Sequence, residues 1–237
     1  MQVLAFDSAT SACSAALWRD GDIMAHRFEP MVRGHGERLM GMISAVLADS
    51  GAGFADLDLL AVTCGPGGFT GLRIGLAAAR GLALAGGLPC IGVSTMEAIA
   101  AGTLKSERED GCVMAAIDSK RGDIYAQVFS GPDPLGEAEA VPPENLADFL
   151  GARKAAKNDP GGRVVVVGDA MDRAIASLCG GGVDAVASTA PPLPDARTVA
   201  AMAAARWSHD MPVESLRPLY LRSPDAKAPK DGGRLRP

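Results

Sequence analysis

The 237-residue sequence lacks the cysteine patterns that would indicate a disulfide framework or a structural zinc site. Its five cysteines are scattered along the chain, odd in number and without CxxC spacing. Disulfide-rich secreted domains and zinc ribbons are therefore excluded, because both need closely spaced pairs. No uncharged run is long enough to cross a bilayer, and no charged-then-apolar signal opens the chain. We therefore expect a cytoplasmic protein that has no membrane partner.

Positive charge is also scarce. The chain has 23 Lys and Arg against 28 Asp and Glu, a net charge of −5. A protein that binds nucleic acid unaided needs a basic surface, so this balance argues against that function class. Residues 223–237 are the exception, with four basic and two acidic residues among three prolines and two glycines. Their composition predicts a flexible tail.

The motifs of the well-known phosphate and catalytic sites are missing as well. A GxxxxGK[ST] loop needs a lysine before Ser or Thr, whereas the central helix opens with Gly71-Leu72-Arg73. A GxGxxG fingerprint that begins at Gly65 would need a glycine at Thr70. No nucleophile elbow or HExxH sequence is present, and the three histidines are far apart. We therefore predict no metal site in this chain.

What the sequence does contain is a central stretch, residues 57–89, around which the rest is organised. Its first part, LDLLAVT, predicts a buried strand, and residues 70–85 predict a helix rich in Ala and Leu with Thr70 as its N-cap. Gly71, Gly75 and Ala79 recur every fourth residue and so share one helix face. These small side chains predict a very close contact. Two alternatives are open: an internal contact, or a helix pair between subunits.

The remaining sequence predicts two α/β lobes, residues 1–104 and 105–222, which meet at the charged stretch KSEREDG. The first lobe begins with three antiparallel strands, since Asp-Gly is favoured in a hairpin turn, and continues into an amphipathic helix over residues 36–50. The second lobe has its first strands over 114–119 and 124–129. The last predicted helix, residues 198–207, is expected to pack back on the first lobe.

A short repeat connects the two lobes. Each begins with an apolar strand that ends in Asp-Ser, at Asp7 and at Asp118, and a second strand follows each time. The repeat predicts a duplicated fold with two carboxylates facing each other across a cleft, where they could hold hydrated Mg²⁺ and the phosphates of ATP or ADP. The alternative is that both carboxylates cap their own turns. Because lysine-bearing phosphate loops are absent, nucleotide binding is expected to be weak. The candidate nucleotide-binding residues are Asp7, Ser8, Thr10, Ser11 and Asp118.

Five blocks of the sequence, FDSATSACSAAL, HGERLM, GPGGFTGLRIGL, AAIDSKRGDIYAQVF and PLYLR, resemble the TsaB (YeaZ) family. The resemblance implies a two-lobed actin-like ATPase (ribonuclease H-like) fold with a duplicated mixed sheet. It also implies a non-catalytic partner in the bacterial complex that forms N6-threonylcarbamoyladenosine at position 37 of tRNAs reading codons that start with A. The implied partners are the catalytic paralogue TsaD and the small ATPase TsaE, with tRNA reached through the complex. No cofactor is required, and a homodimer is expected when the paralogue is absent.

The resemblance also suggests why this chain would not be catalytic. The paralogue has a V-N-H-x-E-G-H segment whose two histidines bind a metal, and residues 93–99 of this chain place Thr95 and Ile99 at those two positions. Neither side chain can replace an imidazole there. Two alternatives remain: a stand-alone actin-fold ATPase or phosphotransferase that uses the two aspartates, and a glycoprotease-like metallohydrolase, which the missing histidines disfavour.

The partner surface is predicted on the two helices of the first lobe. Close approach at the small residues and apolar cover from the first helix would let the equivalent helices of TsaD pack there. The predicted interface residues are Met40, Ile43, Leu47, Gly71, Leu72, Gly75 and Ala79.

Overall fold

Two mixed β-sheets with flanking helices make up the computed structural model, which describes residues 1–109, 111–156, 162–208 and 216–222. This architecture confirms the predicted two-lobed α/β fold with a duplicated mixed sheet. The tail predicted over 223–237 lies outside the described residues. Within the described residues, no helix is long and apolar enough to traverse a bilayer.

The first sheet has the strand order β3-β2-β1-β4-β5. Its first three strands form the predicted antiparallel meander, and β4 and β5 continue the sheet in parallel with β1. Asp20 and Gly21 both have positive φ, which is why the Asp-Gly pair suits the β2–β3 turn. The five strands are β1 Gln2–Asp7, β2 Ala12–Arg19, β3 Asp22–Pro30, β4 Leu59–Gly65 and β5 Cys90–Ser94.

The second sheet repeats this plan. Strand β6 pairs antiparallel with β7, which pairs with the short strands β8 and β9, and β10 and β11 extend the other side in parallel with β6. The duplication inferred from the two Asp-Ser strand ends is therefore present in the topology. The strands are β6 Gly111–Asp118, β7 Ile124–Ser130, β8 Asp133–Pro134, β9 Glu139–Val141, β10 Arg163–Val167 and β11 Ala185–Ala187.

Helices cover both faces of the first sheet. On one face α1 and α2 bury Leu39, Val46 and Leu76 against strand residues such as Phe6. On the other face α7 packs its small residues against the sheet, so the chain returns to the first lobe after completing the second. The helices are α1 His35–Ser50, α2 Phe69–Gly86, α3 Thr95–Ala101, α4 Lys105–Glu109, α5 Leu146–Ala156, α6 Met171–Gly180 and α7 Ala196–Arg206.

Some predicted boundaries were wrong. The N-cap of α2 is Gly68 rather than Thr70, because the helix begins at Phe69. The charged stretch, which was predicted only as the boundary between the lobes, forms α4 in part. Glu97 accepts a hydrogen bond from the Ser94 N–H at 3.3 Å, which accounts for the sharp start of α3.

The glycine face of α2 contacts the turn between β1 and β2, not another helix. A Cβ on Gly71 would lie 2.1 Å from the carbonyl oxygen of Ser8, and one on Gly67 would lie 2.2 Å from that of Ala9. Two hydrogen bonds hold the turn there: Gly68 N–H donates to Ala9 at 2.7 Å, and the Ser8 hydroxyl donates to Gly71 at 2.9 Å. The close contact predicted for this face is internal to the subunit.

This contact corrects most of the predicted partner surface. Ile43, Leu72, Gly75 and Ala79 are buried within the subunit, so they are not available to a partner. The Ser8 carbonyl occupies the space beside Gly71 in which a partner helix was predicted to pack. Leu47 packs in part against the core. Of the predicted interface residues, Met40 is the one with a largely solvent-facing side chain, at 44% exposed.

Replacing Gly71 with Ala should lower the free energy of unfolding by about 1–3 kcal/mol, because the methyl group would overlap a backbone carbonyl that has little room to move. Gly81→Ala is the matched control on the same helix, since a Cβ there meets nothing within 4 Å. It should stabilise by about 0.5–1 kcal/mol through helix propensity. Urea unfolding measures both, and equal effects would contradict the packing described here.

Candidate functional site

A cavity of about 780 Å³ lies between the two lobes. The first lobe lines it with the turn after β1 and with the first turns of α1 and α2, and the second lobe with the end of β6 and a residue after β10. The lining therefore comes from strand ends and helix starts, where backbone groups are left unpaired by regular structure. Its members are Ser8, Ala9, Thr10, Ser11, Val32, Arg33, Gly34, His35, Gly36, Glu37, Gly67, Gly68, Phe69, Thr70, Gly71, Ile74, Ile117, Asp118, Ser119, Lys120, Tyr125 and Asp169.

The two lobes around this cavity are joined at several places in the described residues. Helix α3 packs with both sheets, α7 returns to the first sheet after the second is complete, and Arg222 pairs with Asp123. The segment 216–222 thus spans from α2 to the β6–β7 turn. These contacts hold the two lobes together around the cavity.

Two helix N-termini open toward this cavity. Helix α1 follows Gly34 and α2 follows Gly68, and neither glycine supplies a side-chain cap. The positive end of each helix dipole favours a negatively charged group in this position. His35 Nε2 lies 2.9 Å from the carbonyl oxygen of Thr10 and so connects the start of α1 to the turn after β1.

Asp7 does not face the cavity. Its side chain is fully buried, and its Oδ1 accepts hydrogen bonds from the Thr63 hydroxyl at 2.5 Å and from the Ala9 N–H at 3.0 Å. Burial raises the pKa of this carboxyl to about 7, against the hydrogen bonds from Thr63 and Ala9, which lower it. The prediction that Asp7 contacts nucleotide phosphates or their metal across the cleft was therefore wrong. The carboxyl instead caps its own turn.

Asp118 lines the cavity but already has cationic partners. Its Oδ1 accepts the Lys120 N–H at 2.9 Å, so it caps its turn as Asp7 does. The Lys120 ammonium lies 3.1 Å from Asp118 Oδ2 and 3.7 Å from Asp169 Oδ2, and Arg173 lies 3.2 Å from Asp118 Oδ1. Partial burial would raise the pKa of Asp118, but the hydrogen bonds and charges of Lys120 and Arg173 hold it below its usual value.

The Lys120 ammonium lies between the carboxylates of Asp118 and Asp169. Lys120 reaches this position from a left-handed backbone conformation, with φ of 59°. Burial raises the pKa of Asp169, although its Oδ1 accepts the Asp118 N–H at 2.8 Å. The cavity thus has two carboxylates that a tethered cation partly neutralises.

The structure brings together some predicted site residues and adds others. Ser8, Thr10, Ser11 and Asp118 all line the cavity, and Asp7 does not. Sequence reasoning missed Lys120, Asp169 and Arg173. A signal for Asp169 was available, because Gly-Asp directly follows the buried strand VVVV, much as Asp118 ends β6.

The two positions that the family resemblance aligns with metal-binding histidines lie away from the cavity. Thr95 and Ile99 are buried in α3. Ile99 packs with Val113 and Ile117 of the second sheet, so this helix joins the two lobes. Over the part of the chain that the structure describes, no group of three or more His, Cys, Asp or Glu side chains could hold a metal ion.

The raised pKa of Asp7 predicts a stability that falls as pH rises. Between pH 4 and 7 the native state keeps a proton that the unfolded state, with a pKa of 3.8, has released. The free energy of unfolding should therefore decrease by up to about 1.4 kcal/mol per pH unit in this window. Asp7→Asn should remove that slope, and Asp133→Asn, at an exposed carboxylate, should not. Denaturant unfolding at several pH values tests this, and identical slopes for wild type and Asp7→Asn would contradict it.

Comparison with known proteins shows which family shares this architecture. The family model described as TsaD, tRNA N6-adenosine threonylcarbamoyltransferase, matches residues 28–138. The tRNA threonylcarbamoyladenosine biosynthesis protein TsaB of Escherichia coli (strain K12) is 47% identical over 127 residues, which is 53% of this chain and 53% of that protein. The alignment thus spans about half the length of that relative. TsaB of Bacillus subtilis is 32% identical over 63% of this chain and 65% of its own length.

Two further comparisons extend over nearly the whole chain. A protein of Mycobacterium tuberculosis (strain H37Rv), described as uncharacterized, is 35% identical over 228 residues, which is 95% of this chain and 93% of that protein. The solved structure of YeaZ from Pseudomonas aeruginosa matches with a TM-score of 0.74 and 28% identity, covering 93% of this chain and 99% of that one. The chain shares the fold of this YeaZ structure and has relatives named TsaB. It therefore belongs to the TsaB (YeaZ) family.

Proposed function

We propose that this chain is a non-catalytic subunit of a cytoplasmic complex that forms threonylcarbamoyladenosine in tRNA. The observation that carries the proposal is the 47% identity to a protein named for this pathway, over 127 residues or about half of the chain. The partners that the proposal implies are a TsaD-like catalytic paralogue and a TsaE-like ATPase. The tRNA is the substrate of the whole assembly.

Three features support a role without catalysis. Thr95 and Ile99 are buried between the lobes, so neither offers a ligand atom to an accessible metal. Asp7 is directed into the core and not toward the cavity. Asp118 is held by Lys120 and Arg173. A stand-alone ATPase or phosphotransferase would need both aspartates near phosphate and metal, and a metallohydrolase would need the missing imidazoles.

The proposed partner surface is the outward side of α1 and α2. These helices lie on the same face of the first sheet and present Met40, Ser44, Ala77, Gly81 and Leu84 to solvent. Leu84 is 87% exposed, so its side chain contributes little to the core of the subunit. Small residues beside two large apolar side chains suit a helix-on-helix contact. We propose that the paralogue binds here and that a second copy of the chain does so when the paralogue is absent.

Leu84→Arg should weaken binding of the purified paralogue by roughly 30-fold, about 2 kcal/mol, because a guanidinium would be buried without a partner. Leu104→Arg is the matched control, since Leu104 is also exposed but follows α3. Size-exclusion and calorimetry measure binding. In cells depleted of their own TsaB-family protein, wild type and Leu104→Arg should restore threonylcarbamoyladenosine in tRNA, and Leu84→Arg should not. Failure of wild type to restore it would refute the proposed function.

We also propose that any ATP or ADP binds weakly in the cavity, near the turn that carries Ser8, Thr10 and Ser11 and close to Asp118. Because the Lys120 ammonium already neutralises the carboxylates, we expect a Kd in about the millimolar range that Mg²⁺ does not improve. Calorimetry with and without Mg²⁺ tests this on wild type, Lys120→Gln and Asp7→Asn. Lys120→Gln should weaken binding and Asp7→Asn should leave it unchanged. Micromolar, Mg²⁺-dependent binding would contradict this expectation.

A further inference from the structure

An exposed stack of aromatic and guanidinium groups lies at the start of α2. The segment 216–222 runs along this helix, anchored by the Leu219 N–H, which donates to the Cys64 carbonyl at 2.7 Å. It places the Tyr220 ring on Phe69, with centroids 5.6 Å apart, and the Arg73 guanidinium lies 3.7 Å from the Phe69 centroid. Arg73 Nε also donates to the Tyr220 hydroxyl at 3.0 Å.

These rings are open to solvent although the contacts hold them in place. Phe69 is 54% exposed and Tyr220 is 39% exposed. A ring that only filled a gap in the core would be buried, whereas each of these exposed rings is held by two neighbours, the other ring and Arg73. The stack is therefore a rigid, solvent-facing platform, which reduces the entropy cost of binding a flat partner.

The two segments that form this platform carry positive charge only. The residues of α2 and of 216–222 include four arginines, Arg73, Arg80, Arg217 and Arg222, and no Asp or Glu. Arg222 forms an ion pair with Asp123 at 2.8 Å, which ties the segment to the second lobe. The next fifteen residues add four basic and two acidic residues. In a chain with a net charge of −5, this concentration of arginines on one surface is complementary to a polyanion.

We propose that this surface, formed by Phe69, Arg73, Tyr220 and the basic residues of 216–222, binds unstacked bases of single-stranded or loop RNA. Aromatic rings and guanidinium planes stack on splayed bases, and neighbouring arginines bind the backbone phosphates. A paired duplex hides its base faces and would use only the charges. The inference rests on the proposed function, and it assigns to this subunit a direct contact with the tRNA loop in addition to a partner-mediated one.

The test measures binding of the full chain to a synthetic anticodon stem-loop RNA with a seven-nucleotide loop. Binding is measured by fluorescence anisotropy at several KCl concentrations. A fully paired duplex of equal length is the comparison ligand. Tyr220→Ala should weaken hairpin binding by about 5- to 150-fold, since stacking on one base is lost, without changing the salt slope. Tyr220→Phe keeps the ring and should retain the affinity.

Charge is tested separately. Arg73→Gln should weaken binding and reduce the slope of log K against log salt by about one, because one phosphate contact is lost. Arg163→Gln removes an exposed arginine at the start of β10 and should change affinity by less than about twofold. Circular dichroism checks that each variant is folded.

Two results would overturn the inference: equal affinity for hairpin and duplex, or a Tyr220→Ala variant that binds RNA as wild type does. If that variant also loses the paralogue, the surface is a protein-binding surface instead. Failure here is distinguishable from failure of the proposed function, because restoration of the modified nucleoside by wild type in depleted cells does not depend on these variants.

Discussion

The contact between the turn after β1 and the first turns of α2 is the constraint on which the site and much of the first lobe depend. The backbone carbonyl of Ser8 lies where a side chain at Gly71 of α2 would project, and that of Ala9 lies where one at Gly67, just before the helix, would project. Only glycine leaves enough room, and the hydrogen bonds from Gly68 and Ser8 hold the two segments together. The turn thereby lies against the helix start and forms one wall of the cavity. The glycine-rich block of this chain therefore serves to pack the turn after β1 against the start of α2.

The same contact determines the position of Asp7. Because the turn is held against α2, the carboxyl points back into the sheet, where Thr63 and the Ala9 amide are its partners. In the second lobe the equivalent Asp118 makes the same hydrogen bond to the amide two residues on, yet it faces the cavity. The repeated motif therefore has a shared local role, turn capping, and two different surroundings. Such a pair does not provide two free carboxylates for one metal ion.

The sequence by itself determined the element order, the antiparallel start of each lobe, the duplication and the family. These depend on local pattern: alternation, helical spacing, Asp-Gly turns and repeated strand ends are written in neighbouring residues. It also predicted that the small residues of the central helix make a close contact. The sequence could not say what made that contact, because a Gly every fourth residue suits a carbonyl turn as well as a second helix.

Only the tertiary structure decided which side chains face the cavity, the core or solvent. Apolar residues of an amphipathic helix look alike in the sequence, yet Met40 is exposed whereas Ile43 and Leu72 are buried, since their surroundings come from segments distant in the chain. Two further contacts are of the same kind: Lys120 pairs with Asp169, 49 residues further along the chain, and Tyr220 stacks on Phe69. Such contacts join segments through the fold, and no local spacing records them.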